Sequence, residues 1–289
     1  MNIIETHIAC KQEVLIRFQE YAVGIFKTIA TKSAIKKAIK KELIFIDGVL
    51  ATTSKYISGG EKIVLFEAKN SATSKLLKLN LEVLYEDDYL AIIYKPAGIL
   101  VSGNQFVSIK NALSQNLKNS TKSDAANPQP IHRLDYPTSG VLLVGKTSTS
   151  IQKLNKLFEF KQISKTYVAI TVGKMCSAGT INLEVDGKNA STNFKVLKSL
   201  DSKRFEALNL VQLHPRTGRK HQLRKHLSGI GHQILGDKIY GVDNLKLKLK
   251  GKGLYLHAFK LEFIHPFTKE KIAVSKEIPK KFKKLFPEF

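Results

Sequence analysis

From residue 81 to Val274 the chain repeats short apolar runs separated by tight-turn residues, and few stretches carry helical periodicity. That rhythm restricts the fold more than any other feature. Leu81–Leu84 and Leu90–Tyr94 read as strands around the turn Glu86-Asp87-Asp88, and Lys95-Pro96-Ala97-Gly98 breaks the second strand. Residues 114–130, rich in Asn, Ser and Pro, read as a loop. Val141–Val144 is a strand, and Thr147 or Ser148 caps a helix with Ile151, Leu154, Leu157 and Phe158 on one side. Further strands follow, with turns at Asp186-Gly187 and near Gly251–Gly253. Hairpin-paired strands with few helices predict an α+β domain on a mixed or antiparallel sheet.

The N-terminal part has a different texture. Thr31 or Ser33 caps a helix through Lys41 with Ala34, Ile35, Ala38 and Ile39 as its apolar stripe; Lys36, Lys37, Lys40 and Lys41 line the other face. A strand over Leu43–Ile46, a hairpin turn at Asp47-Gly48 and a closing strand over Lys62–Phe66 complete a small α/β unit. The expected organisation is a module over 1–70, a polar linker over 71–80 and a larger domain over 81–289.

A formal net charge of +23 points to a polyanionic partner, although a lysine-faced helix is often just a solvated face. The excess is nearly all lysine. Arginine occurs six times, and Arg133, Arg216, Arg219 and Arg224 fall in two short segments. There the chain uses a planar, permanently charged fork. Cys10 and Cys176 stand too far apart to suggest a disulfide framework. No apolar run approaches the roughly 20 residues that span a bilayer. The N-terminus lacks the pattern of a signal peptide. A cytoplasmic, monomeric protein with no membrane partner is expected.

Three segments hold candidate chemistry. In His132-Arg133-Leu134-Asp135-Tyr136-Pro137-Thr138-Ser139-Gly140 a carboxylate and an arginine lie two residues apart, just before a turn and an apolar strand. Taken alone, an Asp before Pro-Thr-Ser-Gly is more often just a turn former. In His214-Pro215-Arg216-Thr217-Gly218-Arg219-Lys220-His221-Gln222-Leu223-Arg224 a glycine precedes a helix that Gly229 is expected to cap. The four histidines between 214 and 232 are spaced 7, 5 and 6 apart among cations, which disfavours a metal site. In Ser164–Val172, alternation places Val168, Ile170 and Val172 on the core face and Tyr167, Ala169 and Thr171 on the other, where an ordinary sheet tyrosine is the simpler reading.

Together these segments resemble the RluA family of pseudouridine synthases. Glu-Asp-Asp-Tyr-Leu (86–90) and Lys-Pro-Ala-Gly (95–98) precede His-Arg-Leu-Asp-x-x-Thr-Ser-Gly (132–140). Lys-x-Tyr-x-Ala (165–169), Thr-Gly-Arg-x-His-Gln-Leu-Arg-x-His (217–226), Gly-Asp-x-x-Tyr-Gly (236–241) and Leu-His-Ala (256–258) follow in order. The match spans roughly 81–275. The N-terminal unit resembles a divergent S-four-type RNA-binding domain.

The resemblance implies that Asp135 is the catalytic aspartate, that Tyr167 stacks on the target uracil with a phenol available as a base, and that Arg224 pairs with Asp135. Arg133 would fill the gap left by a flipped nucleotide. His132, Arg219, Lys36, Lys37 and Lys40 would contact RNA, with ribosomal RNA favoured over transfer RNA. No cofactor or metal is required. Ile93-Tyr94 departs from the family, which commonly has an asparagine before Lys-Pro. Two rivals remain: a non-catalytic RNA-binding or ribosome-assembly factor, which would not need Asp135, Tyr167 and Arg224 together, and a phosphodiester hydrolase, which would need a metal cluster or histidine pair.

Overall fold

A computed structural model describes residues 2–26, 28–29, 31–67, 77–241 and 253–289. The chain divides into two compact units, Met1–Lys75 and Leu76–Phe289.

In the first unit, strands β1 (Ile3–Ile8), β6 (Lys62–Phe66), β3 (Ile44–Ile46) and β4 (Val49–Leu50) form one antiparallel sheet in that order; β2 (Ile16–Arg17) pairs with β5 (Tyr56–Ile57). Helices α1 (Phe18–Tyr21) and α2 (Lys32–Lys40) accompany them. Thr31 caps α2, its hydroxyl accepting the Ala34 N–H at 3.2 Å. Ile35 and Ala38 enter a core with Phe18, Ile44, Ile57 and Ile63, and Lys36, Lys37 and Lys40 stay exposed. Asp47 and Gly48 both adopt positive φ (49° and 80°), the geometry of a two-residue hairpin.

The second unit holds a ten-stranded sheet. Its strands are β7 (Val83–Glu86), β8 (Leu90–Lys95), β9 (Ala125–Pro130), β10 (Ser139–Thr147), β11 (Ser164–Val172), β12 (Ala178–Ile181), β13 (Thr192–Ser202), β14 (Glu206–Pro215), β15 (Leu256–Ile264) and β16 (Lys271–Ser275). Helices α3 (Ile109–Asn116), α4 (Ser148–Glu159), α5 (Gln222–Gly229) and α6 (Lys280–Lys283) interrupt them. The spatial order is β12-β13-β14-β11-β15-β10-β8-β7, with β16 on β15 and β9 on β10. The pairings are antiparallel except that of β10 with β15, which is parallel. The α+β class predicted from the sequence is what the chain adopts.

Two hydrophobic cores lie on either side of that parallel join. One gathers β8 and β10 with Ile109, Leu113 and Leu154 from α3 and α4; the other gathers β11 and β14 with Leu223, Leu227 and Phe282. Strand β15 contributes to both, through Leu261 and Phe263 to the first and Leu256 to the second.

Several sequence-based expectations need correction. The loop expected over 114–130 contains the end of α3 and all of β9. Ser108 caps α3 through the Asn111 N–H, and β9 is an outer strand, where Pro128 and Pro130 are tolerated. Of the linker, 71–76 lie outside the described residues, while Leu77 and Leu79 pack on the first core. Their carbonyls accept side-chain amide N–H groups of Gln115 and Asn116. Strand β11 is covered on both faces: Ala169, Ile170 and Thr171 are all inaccessible. Gly229 is the last helical residue of α5, and Gly231, at φ 81°, makes the left-handed exit. Of the turn expected near Gly251–Gly253, residues 251 and 252 lie outside the described residues.

Gly140 makes the β10–β15 join possible. It pairs with Ala258 at φ 131°, and a Cβ placed there would stand 2.1 Å from the Ala258 carbonyl oxygen. Gly140→Ala is therefore expected to lose roughly 2–5 kcal/mol through backbone strain and overpacking. Urea unfolding measures this, and a loss under about 0.5 kcal/mol would show the join to be deformable.

Candidate active site

Asp135 sits in the turn that feeds β10. Thr138 donates its N–H to the main-chain carbonyl of Asp135 at 3.0 Å, so the turn closes without the carboxylate. The buried Lys95 ammonium holds this turn from below, donating to the carbonyls of Pro96 (2.9 Å), Tyr136 (3.3 Å) and Thr138 (2.7 Å). Burial pushes Lys95 down to about 8, against the opposing pull of the Asp135 charge.

The adjoining Ser139 hydroxyl lies 2.9 Å from Nδ1 of the buried His257, whose Nε2 lies 3.0 Å from the Lys276 carbonyl. A carbonyl only accepts, so Nε2 carries the proton and Ser139 donates to Nδ1. Burial drives His257 down to about 4, which keeps the ring neutral.

The Asp135 carboxylate itself is a quarter exposed. Among the described residues it accepts no hydrogen bond. His221 Nε2 stands 3.7 Å from Oδ1 and Arg224 Nη1 stands 3.7 Å from Oδ2. The expected pairing with Arg224 is thus present as a long ion pair, without a hydrogen bond. The Arg224 fork is occupied elsewhere: Nε and Nη2 each donate at 2.7 Å to the carboxylate of Asp237. Both side chains are almost fully buried. Asp237 Oδ1 also accepts the N–H groups of Ile239 (2.9 Å) and Tyr240 (3.1 Å). Burial alone would raise the Asp237 carboxyl, but these bonds, Arg224 first, hold it below its ordinary range. The Arg224 guanidinium also lies 5.0 Å from the centre of the Tyr240 ring.

The segment before α5 is organised by Gln222. Its Oε1 accepts the Thr217 hydroxyl (2.7 Å) and the Arg219 N–H (3.0 Å), and its Nε2 donates to the Ser191 carbonyl (3.0 Å) and the Thr192 hydroxyl oxygen (2.9 Å). His221 takes a left-handed conformation (φ 55°) and places Nδ1 2.9 Å from the Tyr240 hydroxyl. The other histidines of the segment also have local partners: His214 with Thr166, His226 with the Leu183 carbonyl and His232 with the Val172 carbonyl.

These elements enclose a cavity of about 470 Å³. Asp135, Tyr167, Arg224, Arg133, Arg219 and His132 all line it. The structure thus brings together the sequence-predicted residues of the larger unit, with different roles for two of them. His132 does not present a cation. Its Nε2 accepts the Leu143 N–H at 3.1 Å and its ring lies 4.9 Å from Phe158. Burial, then the Lys165 charge, takes it down to about 3. The Tyr167 phenol is pushed well above its usual range by burial and then by the Asp135 charge, so it is a neutral hydroxyl and not a ready base. Arg133 is exposed at the rim, and Arg219 is exposed with Nε 3.4 Å from the Asn189 carbonyl.

A family model described as RNA pseudouridylate synthase matches residues 89–229. Ribosomal large subunit pseudouridine synthase D of Buchnera aphidicola is 32% identical over 283 residues, covering 88% of each chain. Ribosomal large subunit pseudouridine synthase C of Rickettsia conorii is 33% identical, covering 84% of this chain and 87% of that one. The solved structure titled Human RNA Pseudouridylate Synthase Domain Containing 4 is 30% identical with a TM-score of 0.56, over 70% of this chain and 90% of that chain. The chain belongs to the RluA family of RNA pseudouridine synthases. It is an isomerase that acts on RNA.

Asp237, Lys95, Gln222 and His221 were not assigned roles from the sequence. All four lie in family motifs, at 236–241, 95–98 and 217–226, yet no local signal tells which distant group each one holds.

In this pseudouridine synthase, Asp237→Ala should cost roughly 3–5 kcal/mol, because it strands a buried guanidinium. Asp135→Ala should cost less than about 1 kcal/mol, because its ion pair with Arg224 is long and carries no hydrogen bond, and Asp237 still holds the guanidinium. Unfolding double-mutant cycles should give Arg224 strong coupling to Asp237 and weak coupling to Asp135; the reverse order would redraw the ion-pair network.

Proposed function

We propose that this protein converts uridine to pseudouridine in large-subunit ribosomal RNA, in the cytoplasm, with Asp135 as the catalytic carboxylate. The observation that carries the reading is the state of that side chain. An aspartate serving only as a turn former would spend its carboxylate on nearby N–H groups. Asp135 leaves that work to its main-chain carbonyl and to Lys95, and its carboxylate, on a residue that lines the cavity, accepts no hydrogen bond from the described residues. The curated relatives named for the ribosomal large subunit support the choice of RNA.

The reaction cuts the bond from ribose to uracil nitrogen, turns the base and rejoins it through carbon 5. The uridine first leaves its stack, at a cost of a few kcal/mol. Arg133, exposed at the rim, occupies the vacated position. Inside the cavity Tyr167 lies flat against the uracil and, as a neutral phenol, stacks and hydrogen-bonds. Asp135 acts on the ribose, as nucleophile or as base; both roles need an unclaimed carboxylate oxygen. Arg224, its fork held by Asp237, turns its remaining N–H edge toward Asp135. It offers positive charge to the carboxylate without closing on it.

Asp135→Asn is expected to abolish tritium release from large-subunit RNA transcripts carrying carbon-5-labelled uridine. RNA affinity should stay within a few-fold, since one carboxylate contributes little to it. Turnover near that of the wild type would remove Asp135 from the chemistry.

The N-terminal unit supplies phosphate affinity through the exposed face of α2. Replacing Lys36, Lys37 and Lys40 together by Gln should lower the slope of log affinity against log salt by about two to three. An unchanged slope would free that face of an RNA role.

A further inference from the structure

A second cavity, of about 890 Å³, adjoins the first, and Phe158, Lys165, Pro215, Thr217, Gly218 and Arg219 line both. It lies on the side away from Asp135 and Arg224, which do not reach it, and volumes of this order accommodate a nucleotide.

Lys165 stands in the shared wall. It is two residues before Tyr167 on β11, so both side chains leave the strand on the same face, and both line the first cavity. Its ammonium is partly buried, and burial lowers its proton affinity. Among the described residues no carboxylate lies within 4.0 Å of it. The cavity lining holds two carboxylates: Glu262, engaged by Lys260 at 3.0 Å and Lys271 at 3.8 Å, and the exposed Glu159. Lys165 instead meets the Phe158 ring, 5.8 Å from its centre.

A partly desolvated cation with no counter-ion is unfavourable unless an anion arrives with a ligand. The remaining cations of the lining, Lys161, Arg216 and Arg219, are exposed, so the groove is open to a polyanion from outside. Phe158 and Pro215 offer flat apolar faces, and Asn193 and His214 offer polar edges.

We propose that the second cavity receives the nucleotide adjoining the target uridine, and that Lys165 holds the phosphodiester that joins the two. This rests on the reading of the first cavity as the uridine site.

The test is binding of the full chain to a labelled oligoadenylate with one central uridine, in versions where a single phosphodiester is replaced by a neutral methylphosphonate. Neutralising the linkage on one side of the uridine should weaken wild-type binding about tenfold, the scale of one charge-assisted hydrogen bond. Neutralising a linkage further away should do less. Lys165→Met should weaken binding of the unmodified oligomer by the same factor, and should add nothing once the critical linkage is neutral. Lys165→Arg, which keeps the charge, should retain most of the affinity.

If neither flanking linkage matters to the wild-type protein, the proposal fails whatever the variants do. Additive losses from Lys165→Met and both methylphosphonates would equally overturn it. Pseudouridine formation by the same wild-type preparation on large-subunit RNA transcripts separates the two readings. Formation of pseudouridine with binding indifferent to Lys165 removes only the second subsite. Coupling to Lys165 in a preparation that makes no pseudouridine keeps the phosphate site and overturns the uridine reading.

Discussion

The paired hydrogen bonds from Arg224 to Asp237 set the geometry on which the rest of the site depends. Taking both charges out of water is costly, and only two short parallel bonds, with further N–H donors from Ile239 and Tyr240, offset that cost. The pair is better understood as a device for orientation than as a source of stability. It ties the 237–240 turn to α5, brings Tyr240 against His221, and leaves one guanidinium edge toward Asp135. An arginine free to close on Asp135 would occupy the oxygens proposed to meet the substrate.

Asp135 is positioned by groups remote from it in sequence. Lys95 gathers two carbonyls of its turn, those of Tyr136 and Thr138, Ser139 reaches His257, and Gly140 lies against Ala258. Each contact is made by backbone or by a buried neutral or caged group, so none competes for the carboxylate. The side chain proposed to react is held by its main chain, and this explains how it is both fixed and unclaimed.

Much of this architecture was legible in the sequence, and the failures have physical causes. Apolar runs and turn residues located β8, β10 and β11, and Thr147 announced α4, because strand alternation and capping are local effects. The segment 125–130 read as loop because proline disfavours a central strand; its place at an outer position restores compatibility. Alternation along β11 assigned one face to solvent, but it carries no information about what covers the second face. The resemblance implied an RNA contact for His132 and said nothing of its charge, which enclosure against Phe158 keeps neutral. Asp135, Tyr167 and Arg224 were correctly placed around one cavity by the order of the motifs. That Asp237 takes the arginine's fork is a contact between loops, which no periodicity reports.

The parallel join of β10 with β15 has a consequence for biosynthesis. Asp135 leads into the strand on one side of the join, while Tyr167 and Arg224 belong to elements on the other. β15, which lies between β10 and β11, is made only after residue 255. A growing chain that has already exposed all three side chains therefore holds the groups without the cavity. Such a chain, emerging beside the very class of RNA proposed as its substrate, still lacks the strand that sets β10 beside β11.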